Sequence, residues 1–170
     1  MTIEEAIKTA IDFEIKIRDT YHYAVQQTED PAGQKIFQTL AEDEQRHVEY
    51  LNHKLEEWRT SGKLSPTKLA SVVPPKAVIE KEAAKLRTHM QRDDRGVKQQ
   101  MLSKALKLEI ETSEFYRQMV ERLPAEGRQL FSRFLEIENN HIDAVQFEMD
   151  YYGNTGYWFG FEEFDMEAGE

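Results

Sequence analysis

Cysteine is absent from this 170-residue chain, glycine and proline are sparse at eight and five, and basic side chains number 22 against 32 acidic ones. Without thiols there are no disulfides, zinc–thiolate or iron–sulfur sites, thiol nucleophiles or cysteine-ligated iron centres. Such a composition suits a reducing cytoplasm, and the cytoplasm is the expected compartment. A formal net charge of -10 argues against non-specific binding of nucleic acid or anionic membranes and favours cations. No apolar run approaches the length of a membrane span. The opening Met1-Thr2-Ile3-Glu4-Glu5 lacks the basic and then apolar order of a signal peptide.

What is plentiful is Glu, Lys, Gln, Leu and Ala in long periodic stretches, which predicts an all-α fold. The length suits one domain with a sizeable core. Thr2-Ile3-Glu4-Glu5 fits a capping box, and Ile3, Ile7, Ala10, Glu14, Ile17, Tyr21 and Ala24 then follow three- and four-residue steps along one helix face. Asp30-Pro31 reads as an N-cap followed by proline at the first helical position. The second stripe is Phe37, Leu40, Glu44, His47, Leu51, Leu55 and Trp58.

Ser-Gly and Ser-Pro breakers between Thr60 and Ser65, then Pro74-Pro75, interrupt the pattern. A short amphipathic helix between about Lys76 and Met90 is expected inside an interval, roughly 60–94, far longer than a helical hairpin needs. A long crossover joining parallel helices explains it. A third long helix is expected from near Asp93-Asp94, with Leu102, Ala105, Glu109, Thr112, Tyr116 and Met119 in line. After the Leu123-Pro124 break comes a fourth, carrying Phe131, Phe134, Glu138, His141, Val145 and Tyr152. Gly153-Asn154 and Gly156 are expected to stop it. The bundle therefore spans 1–152, and 153–170 forms a tail with Tyr157, Trp158, Phe159, Phe161 and Phe164, expected to pack on the bundle or on a second subunit. Its acidic end, Glu162 to Glu170, reads as a solvated charge run.

Glu44-x-x-His47 puts a carboxylate and an imidazole on one helix face, and Glu138-x-x-His141 repeats the arrangement. A single such pair is weak evidence; the register is stronger. Glu14, Tyr21, Glu44 and His47 correspond to Glu109, Tyr116, Glu138 and His141 at offsets of 95, 95, 94 and 94. This is the signature of a duplicated helical hairpin, each half contributing one lone Glu and one Glu with a His. All six lie on apolar stripes, where an uncompensated ionised carboxylate costs several kcal/mol. Four glutamates bring -4, and two divalent cations bring +4. One Glu from each of two helices and Glu-x-x-His from each of the other two is the ligand set of di-iron and di-manganese carboxylate bundles. Two iron ions per chain are expected, with manganese or zinc compatible with the same donors. Glu44 and Glu138 are assigned as bridges, Glu14 and Glu109 as terminal ligands, and His47 and His141 as ligands of one ion each. Tyr21 and Tyr116 read as packing aromatics, or as hydrogen-bond or electron-relay partners of the site. His22, His53 and His89 read as surface residues, and Trp58 and Trp158 as core or interface anchors.

On Glu14 with Tyr21, Glu44 with His47, Glu109 with Phe115-Tyr116, and Glu138 with His141, the chain resembles the ferritin-like superfamily, and within it the rubrerythrin-like proteins, over residues 3–152. The resemblance implies a ferritin-like four-helix bundle. It also implies a di-iron oxidoreductase of oxidative stress that reacts with hydrogen peroxide or dioxygen, draws electrons from an external donor protein and forms a homodimer. Two family features are unmatched: the cysteine-ligated rubredoxin domain is lacking, and Thr112 stands where typical members carry an extra metal-binding Glu. Ligand exchange by that Glu is therefore not implied for this chain. A ferroxidase or iron-handling protein, a manganese catalase and a substrate oxygenase are the rival activities. A structural metal-binding or interaction module and a metal-free bundle with a polar core are the non-catalytic ones.

Overall fold

The computed structural model describes residues 1–83 and 96–155, and these form five helices with no strand among them. They are α1 (Ile3–Gln27), α2 (Pro31–Ser61), α3 (Lys76–Ala83), α4 (Gly96–Arg122) and α5 (Ala125–Thr155). None is long and apolar enough to cross a membrane.

The helix boundaries follow from local chemistry. The Thr2 hydroxyl accepts from Glu5 N at 3.2 Å while the Glu5 carboxylate accepts from Thr2 N at 2.8 Å, which completes the expected capping box. Asp30 caps α2 by accepting from Ala32 N at 2.8 Å, with Pro31 behind it where no amide donor is needed. At the other end Gly62 takes φ 68° and returns its N–H to Trp58 O at 2.8 Å. A side chain in that left-handed conformation costs about 1–2 kcal/mol. Gly62→Ala should therefore lower the unfolding midpoint by about 2–8 °C in a chain of this size, read by a thermal melt.

Contacts between helices fix the topology. Arg18 meets Gln45 and Glu4 meets Arg59 across α1 and α2. Tyr21 meets Glu109 and Tyr116 meets Glu14 across α1 and α4. Gln99 meets Met149 and Ser113 meets Asn139 across α4 and α5. Glu44 meets His141 and His47 meets Glu138 across α2 and α5. In every pair one number rises as the other falls, so neighbours are antiparallel, and α2 and α4 run the same way. A 31-residue α2 is roughly 46 Å long at 1.5 Å per residue. The chain must travel back along that length before α4 can start, which accounts for the long interval. Its first part, 62–75, crosses α2 and α5 as a strap. Lys54 Nζ donates to Ser65 O at 2.8 Å, Lys68 N to the Tyr50 hydroxyl at 3.0 Å, and Arg133 Nε to Leu69 O at 2.8 Å.

The α1, α2, α4 and α5 stripes are buried at every expected position except Trp58, which is half-buried. α3 begins at the expected Lys76. The expected continuation to Met90, the Asp93-Asp94 start, His89, Trp158 and the rest of the aromatic and acidic tail lie outside the described residues. One boundary needs correction: Gly153 does not stop α5, which continues to Thr155. A Cβ at Gly153 would lie 2.8 Å from Gln99 Nε2, and that amide donates to Met149 O. The Cβ contact is with the far end of a flexible side chain and no backbone lies near, so Gly153 is an ordinary helical residue here, and the expected division after 152 falls inside a helix.

Apolar side chains separate into two clusters. Ile17, Tyr21, Phe37, Leu40, Leu102, Val145 and Tyr152 belong to one, and Ile7, Leu51, Tyr116, Phe131 and Phe134 to the other. Each long helix passes from one cluster to the other, and its glutamate or Glu-x-x-His pair falls between them. The polar residues thus form a single layer across the middle of the bundle.

Candidate metal centre

That layer contains all six predicted ligands. Glu14 comes from α1, Glu44 and His47 from α2, Glu109 from α4, and Glu138 and His141 from α5, each with no exposed surface. Their donor atoms fall into two groups of four, each within 4.8 Å of one another: Glu14, Glu44, His47 and Glu138; and Glu44, Glu109, Glu138 and His141. The two shared residues are Glu44 and Glu138, the pair expected to bridge. Both imidazoles present Nδ1 to the carboxylates, at 3.3 Å from Glu44 and 3.4 Å from Glu14 for His47, and at 2.8 Å from Glu44 and 3.4 Å from Glu109 for His141.

Nine buried side-chain oxygen and nitrogen atoms among the described residues have no hydrogen-bond partner, and all nine belong to these six residues. Buried polar atoms are normally satisfied; eight of the nine, all but His47 Nε2, which faces Asp43, belong to the carboxylates and the Nδ1 atoms of the layer and make a set of donors for a cation. Carboxylate oxygen and imidazole nitrogen without thiolate suit iron, manganese or zinc. The residues present therefore fit a metal ion. Lys54, unforeseen as a core residue, is buried two turns beyond His47, but its ammonium is bonded to the Ser65 carbonyl and hydroxyl, both at 2.8 Å.

The electrostatics of the ion-free layer show how it balances its own charge. Burial, reinforced by the charges of Glu14 and Glu109, pushes the Glu44 carboxyl well up, and burial with the charges of Glu109 and Glu14 does the same for Glu138. Burial also opposes ionisation of Glu14, but hydrogen bonding to Glu44 and the neighbouring His47 outweigh it and hold Glu14 down at about 2. Burial disfavours the His47 cation, yet Glu44 and Glu14 raise that imidazole to about 10. Burial likewise opposes the His141 cation, and Glu44 and Glu109 overcome it, lifting that imidazole well above its usual range.

Both tyrosines do more than pack: of the readings open from sequence, hydrogen-bond partner of the site is the one the geometry shows. Tyr21 donates to Glu109 Oε1 at 2.6 Å and Tyr116 to Glu14 Oε1 at 2.5 Å, so each half of the repeat orients the lone glutamate of the other. Burial and those adjacent carboxylates raise both phenols, which keeps the donating protons in place. Thr112 is buried, and its hydroxyl donates to Leu108 O at 2.8 Å. It satisfies its own helix and adds no ligand.

Two participants were missed from sequence. Asp43 is fully buried, and its Oδ2 lies 2.7 Å from His141 Nε2 and 3.6 Å from His47 Nε2. Burial opposes its charge, but His141, His47 and Arg46 hold the carboxyl far below the usual range. Ser71, from the strap, donates to the same Oδ2 at 2.8 Å, and Arg46 Nη2 reaches Oδ1 at 2.8 Å. The spacing Asp43-x-x-x-His47, one helical turn, was a signal available for Asp43. Nothing local announces Ser71, which arrives from a distant irregular segment. His22 and His53 are exposed and away from the layer. No family model, no curated protein and no solved structure matches the chain, so the functional reading rests on this layer and its chemistry. Five surface grooves, lined by side chains such as Thr20, Tyr23 and Lys104 or His53 and Glu56, contain none of the six ligands.

Proposed function

We propose that the chain is a ferritin-like, rubrerythrin-like dinuclear iron oxidoreductase acting on hydrogen peroxide or dioxygen with electrons from an external donor. The observation that carries this reading is the pair of four-donor groups sharing Glu44 and Glu138. Glu44 and Glu138 would be shared between two ions, with Glu14 and His47 available to one and Glu109 and His141 to the other. When bound, a pair of Fe(II) ions would supply two electrons for reduction of the oxidant. The residues of the chain do the rest. Tyr21 and Tyr116 fix the terminal carboxylates, Asp43 restrains the imidazole of His141, and the two apolar clusters keep water out of the layer. The absence of cysteine in the chain leaves no thiolate-held relay, in keeping with a separate electron donor, and a homodimer is the assembly that goes with the resemblance.

A second reading is a metal module with no turnover. It is favoured by the complete burial of the six ligands.

Stopped-flow mixing separates the two. Metal-free protein is loaded anaerobically with Fe(II) and mixed with equal hydrogen peroxide or dioxygen, beside a Glu44→Ala/Glu138→Ala control. The expected result is saturation near two irons per chain and faster oxidation by peroxide, with both lost in the control. Faster reaction with dioxygen would move the assignment to a ferroxidase or oxygenase. Oxidation that does not depend on the site would leave the structural module.

A further inference from the structure

We propose that the two metal positions are inequivalent, and that the one completed by His141 takes its ion first and holds it more tightly than the one completed by His47. The inference rests on the dinuclear reading above and deepens it. The two donor groups have the same composition, three glutamates and one histidine, with two glutamates in common. The tyrosines are symmetric too, with hydroxyl-to-carboxylate distances of 2.6 and 2.5 Å. The difference lies behind the imidazoles.

In the first half of the repeat Asp43 precedes Glu44 and Arg46 precedes His47; at the offset of 94 the corresponding residues are Ile137 and Asn140. One buried carboxylate therefore faces two rings, and it does not serve them equally. His141 Nε2 lies 2.7 Å from Asp43 Oδ2, with the Ser71 hydroxyl 3.5 Å away. His47 Nε2 stands 3.6 Å from the same oxygen and has no hydrogen-bond partner. Oδ2 already accepts from Ser71, and Oδ1 from Arg46. The His47 ring instead meets Phe134 edge-on, with centroids 5.6 Å apart.

A carboxylate accepting from Nε2–H fixes the tautomer that leaves Nδ1 free for a metal, limits rotation of the ring and makes it a stronger donor. His141 has this partner at hydrogen-bond distance, whereas His47, 3.6 Å from the same oxygen, is held only by packing against Phe134 and the His141 ring and lacks the tautomer-fixing, donor-strengthening contact. Removing such a partner weakens a metal site by about 10- to 100-fold, and the same factor is the expected difference between the two positions.

The test is an anaerobic titration of the metal-free full chain with Co(II), followed by visible absorption and calorimetry. Wild type should show two steps whose dissociation constants differ by about 10- to 100-fold. His47→Ala should keep the tight step and lose the weak one, and His141→Ala should do the reverse. Asp43→Asn should weaken the first step toward the second and shift the absorption bands of the first equivalent only. Ile137→Asp, which places a carboxylate at the repeat-equivalent position, should tighten the second step. Two equal steps in wild type, a tight step that survives in His141→Ala, or equal weakening of both steps by Asp43→Asn would each overturn the proposal. Two ions bound equally would sink this inference and leave the dinuclear centre standing. No binding of Co(II) would sink both.

Discussion

Loading the metal-free protein with two equivalents of a divalent ion should raise its unfolding midpoint by on the order of 10–30 °C. A ligand that binds only the folded state stabilises by about 2.7–4.1 kcal/mol at a free concentration 100- to 1,000-fold above its dissociation constant. Two ions therefore contribute about 5–8 kcal/mol, and in a chain of this length each kcal/mol moves the midpoint by about 2–4 °C. The structural reason is the set of unpartnered carboxylate oxygens and Nδ1 atoms, eight in all, which the unfolded chain would return to water and the loaded chain would offer to the ions. Differential scanning calorimetry with and without ions, and after chelation, reads the shift directly.

The informative variant is Glu44→Gln/Glu138→Gln. In the ion-free layer burial and the neighbouring carboxylates favour the neutral form of both of these carboxyls, and an amide is close in shape to a neutral carboxylic acid. The metal-free variant should melt within a few degrees of metal-free wild type or above it, since a buried charge cluster is often less stable than a neutral replacement. Addition of ions should no longer move its midpoint. One substitution pair thus leaves the empty bundle intact and removes the gain from metal. A metal-free bundle with a functional polar core predicts that ions change neither protein, and that pattern would sink the metal reading.

How much was legible follows from the kind of information each residue carries. The duplicated Glu and Glu-x-x-His register was readable because helix periodicity ties spacing to a face, and the burial of that face in all four long helices then brings six side chains into one layer. The parallel course of α2 and α4 was readable from the length of the interval between them. Gly153 was misread because a glycine near a helix end is a frequent stop signal but does not compel one, and α5 runs on to Thr155. For the hydroxyls of Tyr21 and Tyr116 the sequence left packing and hydrogen bonding both open. Their partners sit 88 and 102 residues away in sequence, and the spacing along one helix says nothing of what the opposite helix presents. Asp43 lies at the edge of the apolar stripe, one residue before Glu44, where a solvated carboxylate is the ordinary expectation. Its burial depends on the strap and Ser71 closing over it.

Protons provide a second result of large size. Binding two divalent ions should release protons, because burial raises the Glu44 and Glu138 carboxyls and the surrounding carboxylates raise the His47 and His141 imidazoles, and a metal ion takes each of these groups in its deprotonated form. The ion-free layer is balanced by those protons, with Glu14 and Glu109 remaining anionic against the two rings. The loaded layer is balanced by the ions. The sign of the pH dependence follows. Glu44 and Glu138 titrate above their ordinary 4.5 in the folded state, and His47 at about 10 instead of 6.5. The folded chain therefore holds protons that the unfolded chain has lost. Stability of the metal-free protein should decline as pH rises from about 4.5 towards about 10. On the acid side the depressed Glu14 works in the opposite sense, its contribution being lost as pH falls from 4.5 towards about 2. Metal affinity should rise over the same neutral range in which metal-free stability falls, because each ion competes with fewer protons. The stabilisation gained on loading should consequently be larger at pH 8 than at pH 6. Calorimetric titrations in buffers of different ionisation enthalpy count the protons, and melts of both forms across that range check the divergence. Release of none, with parallel pH profiles for the loaded and empty protein, would mean that the ions bind outside the buried layer.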